Sequence, residues 1–342
     1  METETSPNLL KKMKKVKLLA GRSNVELAQL ISKKINVPLT DIKFDDFKNT
    51  EIGVEITETV RGFNVYIVQT GCCFGGRSTN DHIVELEELV DACVLSDAKS
   101  VTVIVPCFPY ARSDKHDRPR VSIGSARIAR SLKHLGVDRI ITIDLHAGQT
   151  QGTVQLPFDN FYAKKCHIEH LRNVIFNGLS ETEINERFVL ASPDMGGIKR
   201  VESYARSLKM QHVILHKHRD YDKISTVLNS QLFGEEKVLN KTAIIIDDIF
   251  DSFGTIQAAS IEIMKYGAKD IIAIATHGIF SGDAIDKINN TECIKTVIVT
   301  NSLPQADNTQ KSSKLSVVDI SDLLGQTIET LQTGGSISKL FE

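Results

Sequence analysis

Short runs rich in Val, Ile, Leu and Thr alternate with longer amphipathic stretches from residue 16 almost to the last residues. Strands that short need partners on their edges and helices on their faces, so this alternation argues for an α/β fold with mainly parallel sheets. Strands are expected at Val16–Leu19, Val54–Thr57, Asn64–Gln69, Ser100–Val105, Arg139–Asp144, Phe188–Ala191, His212–Leu215, Thr242–Asp247, Asp270–Ala275, Thr296–Thr300 and Leu315–Asp319. Helical periodicity marks Asp81–Leu95, Ser122–Leu135, Gly197–Leu208, Thr255–Tyr266 and Ser321–Thr333. "EITETVRGFNVYIVQ" departs from the pattern, because a short turn between two apolar runs predicts an antiparallel hairpin.

A chain of 342 residues suggests two domains of roughly 150 residues each. The least committed stretch is Asp159–Asn173, which puts the boundary near 165. A net charge of −2 gives no reason to expect a nucleic-acid partner. The basic stretch Lys11–Lys17 reads as part of a solvated tail. Apolar runs are far shorter than the roughly 20 residues that cross a bilayer, and the opening residues lack the apolar core of a secretory signal. Cys72, Cys73, Cys93, Cys107, Cys166 and Cys293 show no C-x-x-C or zinc spacing. Free thiols in a reduced, cytoplasmic compartment are therefore expected.

The most informative segment is "AIIIDDIFDSFGTIQAAS". In an open parallel sheet, ligands sit beyond the carboxyl ends of the strands, where Asp247 and Asp248 fall. Asp251, Ser252, Phe253, Gly254 and Thr255 then open a helix whose N–H groups suit a phosphate. Acids beside a phosphate site make sense if they bind sugar hydroxyls or Mg²⁺; the plain alternative is a strand end with a helix cap. "GCCFGGRS" nearly spells a phosphate loop, but Arg77 stands where Lys belongs, so a glycine-rich turn is the better reading. Asp144 and His146 lie two apart at another strand end, on one face if extended, either as a site or as a structural pair. Asp194 precedes a Gly-Gly pair and a helix carrying Lys199 and Arg200, where a cap explains it equally well. Lys217 and Arg219 leave a strand together and head a segment, "HKHRDYDKISTVLNSQLFGEEKV", that reads as a long loop, as does "RSDKHDRPR".

Taken together, "PCFPYARSDKHDRPR", "DLHAGQTQG", "SPDMGG", "HKHR", "IIIDDIFDSFGT", "THGIFSG" and "TNSLPQ" resemble, in order, the blocks of the ribose-phosphate pyrophosphokinases. The resemblance runs from about Val16 to Phe341. It implies two similar phosphoribosyltransferase-like domains related by pseudo-symmetry. A tail (1–14) would precede an ATP-binding domain (15–165), on which residues from about 326 to 342 pack back. A domain binding ribose 5-phosphate and phosphoribosyl pyrophosphate (PRPP) would occupy 166–325. The implied reaction moves the ATP pyrophosphoryl group to the C1 hydroxyl of ribose 5-phosphate, with Mg²⁺, giving PRPP and AMP. Arg112, Ser113, Asp114, Lys115, Asp117 and His146 would contact ATP, with Phe47, Asn49 and Glu51 reaching the adenine from a neighbouring subunit. Asp144, His146, Asp159 and Asp194 would serve the metal, and Lys217 and Arg219 the transferring group. Asp247 and Asp248 would hold the ribose hydroxyls and Asp251–Thr255 the 5-phosphate. Dimers building a hexamer are the implied assembly.

Departures from the family pattern are equally specific. Phe253 places a ring where a small residue is usual, which the phosphate loop tolerates if the ring points outward. Thr153, Val154 and Gln155 replace two aromatics and an acid, and the turn at 71–80 is longer. An active enzyme with altered loops and a weakly catalytic subunit of a hetero-oligomer are both open on sequence. A type I phosphoribosyltransferase shares the acidic loop but leaves the N-terminal blocks unexplained.

Overall fold

The computed structural model describes residues 12–219 and 227–341, with the side chains at 217–219 and 227–229 outside the description. The chain forms two compact units. One comprises the described residues up to Tyr162 together with Ser302–Pro304 and the segment from Asp319 onward; the other comprises Ala163–Asn301 and Gln305–Val318.

The first unit is built on a five-stranded sheet with the order β1 (Val16–Ala20), β4 (Asn64–Val68), β5 (Ser100–Ile104), β6 (Arg139–Ile143) and β7 (Phe158–Phe161). All its pairs are parallel. Its strands are apolar almost throughout, because helices cover both faces and neither side can be polar. The expected hairpin between residues 55 and 69 is not formed. β3 (Ile52–Ile56) instead pairs antiparallel with β2 (Ile42–Asp46), which the sequence reading missed, and β4 joins the parallel sheet beside β1. The helix Ser321–Thr333 packs on Val25–Ile35, at a point where a Cβ on Gly325 would come within 3.1 Å of Lys34 Cβ. Met13 is already buried, so ordered packing begins within the expected tail; residues 1–11 lie outside the described residues.

The second unit has a seven-stranded sheet with the order β10 (Val227–Phe233), β9 (His212–Arg219), β8 (Phe188–Ser192), β11 (Thr242–Phe250), β12 (Asp270–Gly278), β13 (Ile294–Thr300), β14 (Leu315–Val318). Only β9 and β10 pair antiparallel. The long loop expected after Leu215 is thus corrected: β9 continues to Arg219 and β10 returns beside it, with 220–226 outside the described residues. From β8 the chain steps to β9 on one side, and from β11 to β12 on the other. The strand order therefore reverses between β8 and β11, where an open α/β sheet leaves a crevice for ligand. β11 pairs with β8 only from Thr242 to Ile245, yet pairs with β12 as far as Phe250. Its last residues overhang that crevice.

Candidate active site at the carboxyl ends of the strands

Asp247 and Asp248 sit on this overhang, with side chains 21 % and 5 % exposed. Arg200, from the helix Ile198–Leu208 that follows β8, places Nη1 3.2 Å from Asp247 Oδ1 and 3.3 Å from Asp248 Oδ1. The Asp248 N–H donates to Asp247 Oδ1 at 2.9 Å. Burial pushes the Asp247 carboxyl up to about 8; Asp248 beside it adds to the rise and Arg200 opposes it. Loss of water destabilises the charged form, and a neighbouring carboxylate does the same. Asp247 therefore holds its proton through neutral pH and releases it near pH 8.

Directly after β11, Phe253 adopts φ 62°, and the helix Gly254–Lys265 begins. Phe253 gives that helix no side-chain cap, and first-turn N–H groups have no acceptor within their own helix. Together with the helix dipole they favour an anion at this point. The Phe253 ring does not point outward. It is 2 % exposed and meets Phe250 edge-on, with centroids 5.3 Å apart. The core takes the ring, so the outer side of the loop is left to backbone. Lys287 ties the loop down by donating to the Ser252 carbonyl at 3.1 Å. Asp194 is exposed at the turn after β8, where its Oδ1 accepts the Gly197 N–H at 3.1 Å. It closes a turn ahead of the helix Ile198–Leu208, whose N-cap position is Gly197 and has no side-chain cap.

In the first unit, β6 ends at Ile143 and Asp144 turns the chain with φ 44°. A non-glycine residue there costs about 1 kcal/mol, a strain often found at functional positions. Asp144 is buried and His146 exposed, so the two do not share one extended face as expected. Asp159, on β7, is ion-paired to Arg139. Among the described residues no cluster of three or more His, Cys, Asp or Glu is arranged to hold a metal. In the loop 112–123, Arg112, Lys115 and Asp117 are exposed, while Asp114 accepts from Gln149 at 3.2 Å. Ser113 Oγ donates to the Ser122 carbonyl and accepts the Gly124 N–H at 3.0 Å, fixing the loop to the start of the helix Gly124–His134. Phe47, Asn49 and Glu51 cluster at the exposed tip of the β2–β3 ribbon, where Phe47 N–H donates to the Glu51 carbonyl at 3.0 Å.

The ribbon is anchored at its root. Arg22 bonds Asp46 and, through Nε at 2.5 Å, the fully buried Glu85, while Arg77 also reaches Asp46. The two cations hold the Asp46 carboxyl below the usual carboxylate range, Arg22 contributing most. Arg77 therefore has a structural partner, and Gly75 and Gly76, at φ 61° and 76°, make the tight turn that brings it there. Such a turn needs positive φ at both central positions, which glycine supplies without strain.

Residues 16–136 match the profile described as the N-terminal domain of ribose phosphate pyrophosphokinase, and residues 229–342 the phosphoribosyl synthetase-associated domain. The chain also matches the crystal structure of phosphoribosylpyrophosphate synthetase from Mycobacterium smegmatis at 33 % identity. That match covers 94 % of this chain and 99 % of the other, with a TM-score of 0.83. The chain belongs to the ribose-phosphate pyrophosphokinase family. Weaker likenesses include purine phosphoribosyltransferase from Pyrococcus horikoshii, at 16 % identity over 30 % of this chain and 70 % of the other, with a TM-score of 0.24. Another is adenine phosphoribosyltransferase from Thermoanaerobacter pseudethanolicus, at 20 % identity over 34 % and 73 %, with a TM-score of 0.25. Both scores are too low to argue from.

Membership gives the pyrophosphokinase fold of two mainly parallel α/β domains, which is the architecture the alternation of strands and helices predicted. The backbone of Lys217 and Arg219 lies in β9, opposite Ser230 and Val227 of β10, while their side chains lie outside the described residues. All the described cysteines are free, and no described helix is long and apolar enough to cross a membrane. Burial pushes the Cys72 and Cys93 thiols up to about 12. A thiol needs its thiolate form to react, so both are inert near neutral pH. The sequence reading noted Arg200 as a helix cation but gave it no place at the acids. Its only sequence signal was a Lys-Arg pair just after Gly196-Gly197.

Proposed function

We propose that this pyrophosphokinase transfers the ATP pyrophosphoryl group to the C1 hydroxyl of ribose 5-phosphate, forming PRPP as the bond to the α-phosphate breaks and AMP leaves, with Asp247 and Asp248 accepting hydrogen bonds from the ribose hydroxyls. The 5-phosphate then lies on the backbone of Asp251–Thr255 at the helix start. The observation that carries this reading is the acid pair overhanging the crevice, followed at once by an uncapped helix N-terminus. The spacing suits a phosphorylated pentose, with acceptors for the diol and donors for the phosphate.

Arg112 to Asp117 supply mobile charge and hydroxyl contacts for ATP, with Ser113 holding the loop on its helix. Phe47, Asn49 and Glu51, on the ribbon tip, serve the adenine of a neighbouring subunit in a hexamer built from dimers. Mg²⁺ takes oxygen donors and commonly binds through one or two carboxylates plus substrate phosphates, so a ready-made cage is not required. Asp144 and Asp194 fit that donor chemistry, each on its own unit, with His146 near the nucleotide. Asp159 fits less well because Arg139 already claims its carboxylate. When bound, the metal neutralises phosphate charge. Lys217 and Arg219 are assigned to the transferring group by the family resemblance, since positioning and charge matter more in this transfer than a nucleophilic side chain.

The test is AMP release by the purified chain with Mg²⁺, ATP and ribose 5-phosphate. Turnover is expected from the chain alone, falling at least tenfold in Lys217→Ala. A folded chain that makes no AMP by itself, but gains activity with an active relative, would instead make it a subunit dependent on a partner.

A further inference from the structure

Arg200 joins two acids that lie next to each other in sequence. Successive residues of a strand point to opposite faces, so one cation touching both Asp247 and Asp248 requires both carboxylates to bend toward it. The Asp248 N–H bond to Asp247 Oδ1 draws the first back over the backbone. Arg200, whose side chain is 25 % exposed, reaches the pair from the far wall of the crevice, across the point where the strand order reverses. Its helix follows the Gly196-Gly197 turn that Asp194 closes.

We propose that Arg200 is a positioning residue for the pentose. Its guanidinium fixes the relative orientation of the Asp247 and Asp248 carboxylates, so that their remaining lone pairs face the vicinal diol of a pentose phosphate. This deepens the pentose end of the function proposed above and rests on that reading. A charged acceptor left free to rotate must be ordered again on each binding event, and that cost falls on pentose affinity rather than on ATP. Arg200 also holds a positive charge against two carboxylates in a partly dry site, which favours their ionised forms. Among the described residues, Asp247 and Asp248 from β11 meet Arg200 from the helix after β8 here. Deprotonating the pair makes it a better acceptor, so pentose binding strengthens as pH rises toward 8.

A merely structural ion pair would affect folding but would not single out one substrate. The experiment measures KM for ribose 5-phosphate and for ATP, between pH 6.5 and 9, in the wild-type chain, Arg200→Gln and Arg200→Lys. Thermal melts of each variant run in parallel. In Arg200→Gln the ribose 5-phosphate KM should rise about 10- to 100-fold, the range for losing a hydrogen bond to a charged partner. The ATP KM should move less than twofold, and the pH at which ribose 5-phosphate KM improves should shift upward. Arg200→Lys restores charge without the planar fork, so it should fall between the two. Equal changes in both KM values, or an unshifted pH profile in Arg200→Gln, would overturn the proposal. Should Arg200→Gln fail to fold, Arg200→Lys decides: a wild-type ribose 5-phosphate KM in that variant refutes the positioning role. A wild-type chain that neither turns over nor binds ribose 5-phosphate removes the underlying reading first, and Arg200's role with it.

Discussion

Asp247→Asn should melt at a higher temperature than the wild-type chain at pH 8, while losing about 100-fold or more in ribose 5-phosphate turnover. The Asp247 carboxyl is raised to about 8 by burial, with the Asp248 carboxylate adding to the rise. An acid whose folded pKa is raised is protonated in the folded chain over a range where the unfolded chain has already lost its proton. Its stabilising contribution is complete below the unfolded value, near 4, and is lost as pH climbs through the folded value. Wild-type stability should therefore decline from about pH 4 to pH 8 on account of this group. Asparagine never ionises, so it removes the penalty. Allowing for relaxation around a partly solvated pair, the gain at pH 8 is about 1–3 kcal/mol, or roughly 2–12 °C for a unit of this size. The loss of turnover follows because an amide offers the diol a weaker acceptor and a wrongly placed donor. Calorimetric melts at pH 5 and pH 8, with AMP release in parallel, check both halves. Equal melting at pH 8 would mean that the acid is not strained by its site. This is the usual trade of stability for function, confined to one side chain.

The second large effect concerns Phe253. Its ring is buried against Phe250 in the core of the second unit, while its backbone sits at φ 62°. Phe253→Ala removes the ring and keeps the left-handed strain, for a loss of about 3–5 kcal/mol. Phe253→Gly also removes the ring but relieves about 1 kcal/mol of strain, so the loss should be about 2–4 kcal/mol. Glycine should thus be better tolerated than alanine, the reverse of the order found inside a helix. Urea titrations of the two variants give the ranking directly. A more stable Ala variant would mean that the loop does not hold its left-handed turn in solution. Because the ring is buried against Phe250 and away from the proposed phosphate site, ribose 5-phosphate KM should change less in Phe253→Gly than stability does.

What could be read from the sequence followed from periodicity. Strands such as Ala243–Ile246 or Ile271–Ala275 are buried on both faces, so their residues are apolar one after another and stand out against any helix. β2, "IKFDD", β7, "FDNF", and β10, "VLNSQLF", carry polar residues and were missed. β2 lies in a two-stranded ribbon, while β7 and β10 close the edges of their sheets. The false hairpin arose because a short connection shows that two strands are close in sequence, not which partners they choose. At the site, Asp247, Asp248 and the loop after them were legible because they follow one another in the chain. Arg200 lies 47 positions away from Asp247 and meets it only through the order of strands in the sheet. The direction of the Phe253 ring was likewise invisible, since a single φ value decides whether the core or the ligand receives it.

The clamp between Val25–Ile35 and Ser321–Thr333 has a consequence for biogenesis. Thr70, just past β4, also binds the carbonyl of Ser302 at 2.8 Å. The first unit is therefore made in parts, with the residues of the second unit synthesised between them. While the intervening residues of the second unit emerge and collapse, Val25–Ile35 can pack on β1, but the part of its surface that Ser321–Thr333 covers stays open. Domains usually fold as they are made, N-terminal first, and exposed apolar surface in that interval invites aggregation. Here completion of the first unit waits for Ser321–Thr333, and the surface that this helix covers stays exposed until it is released.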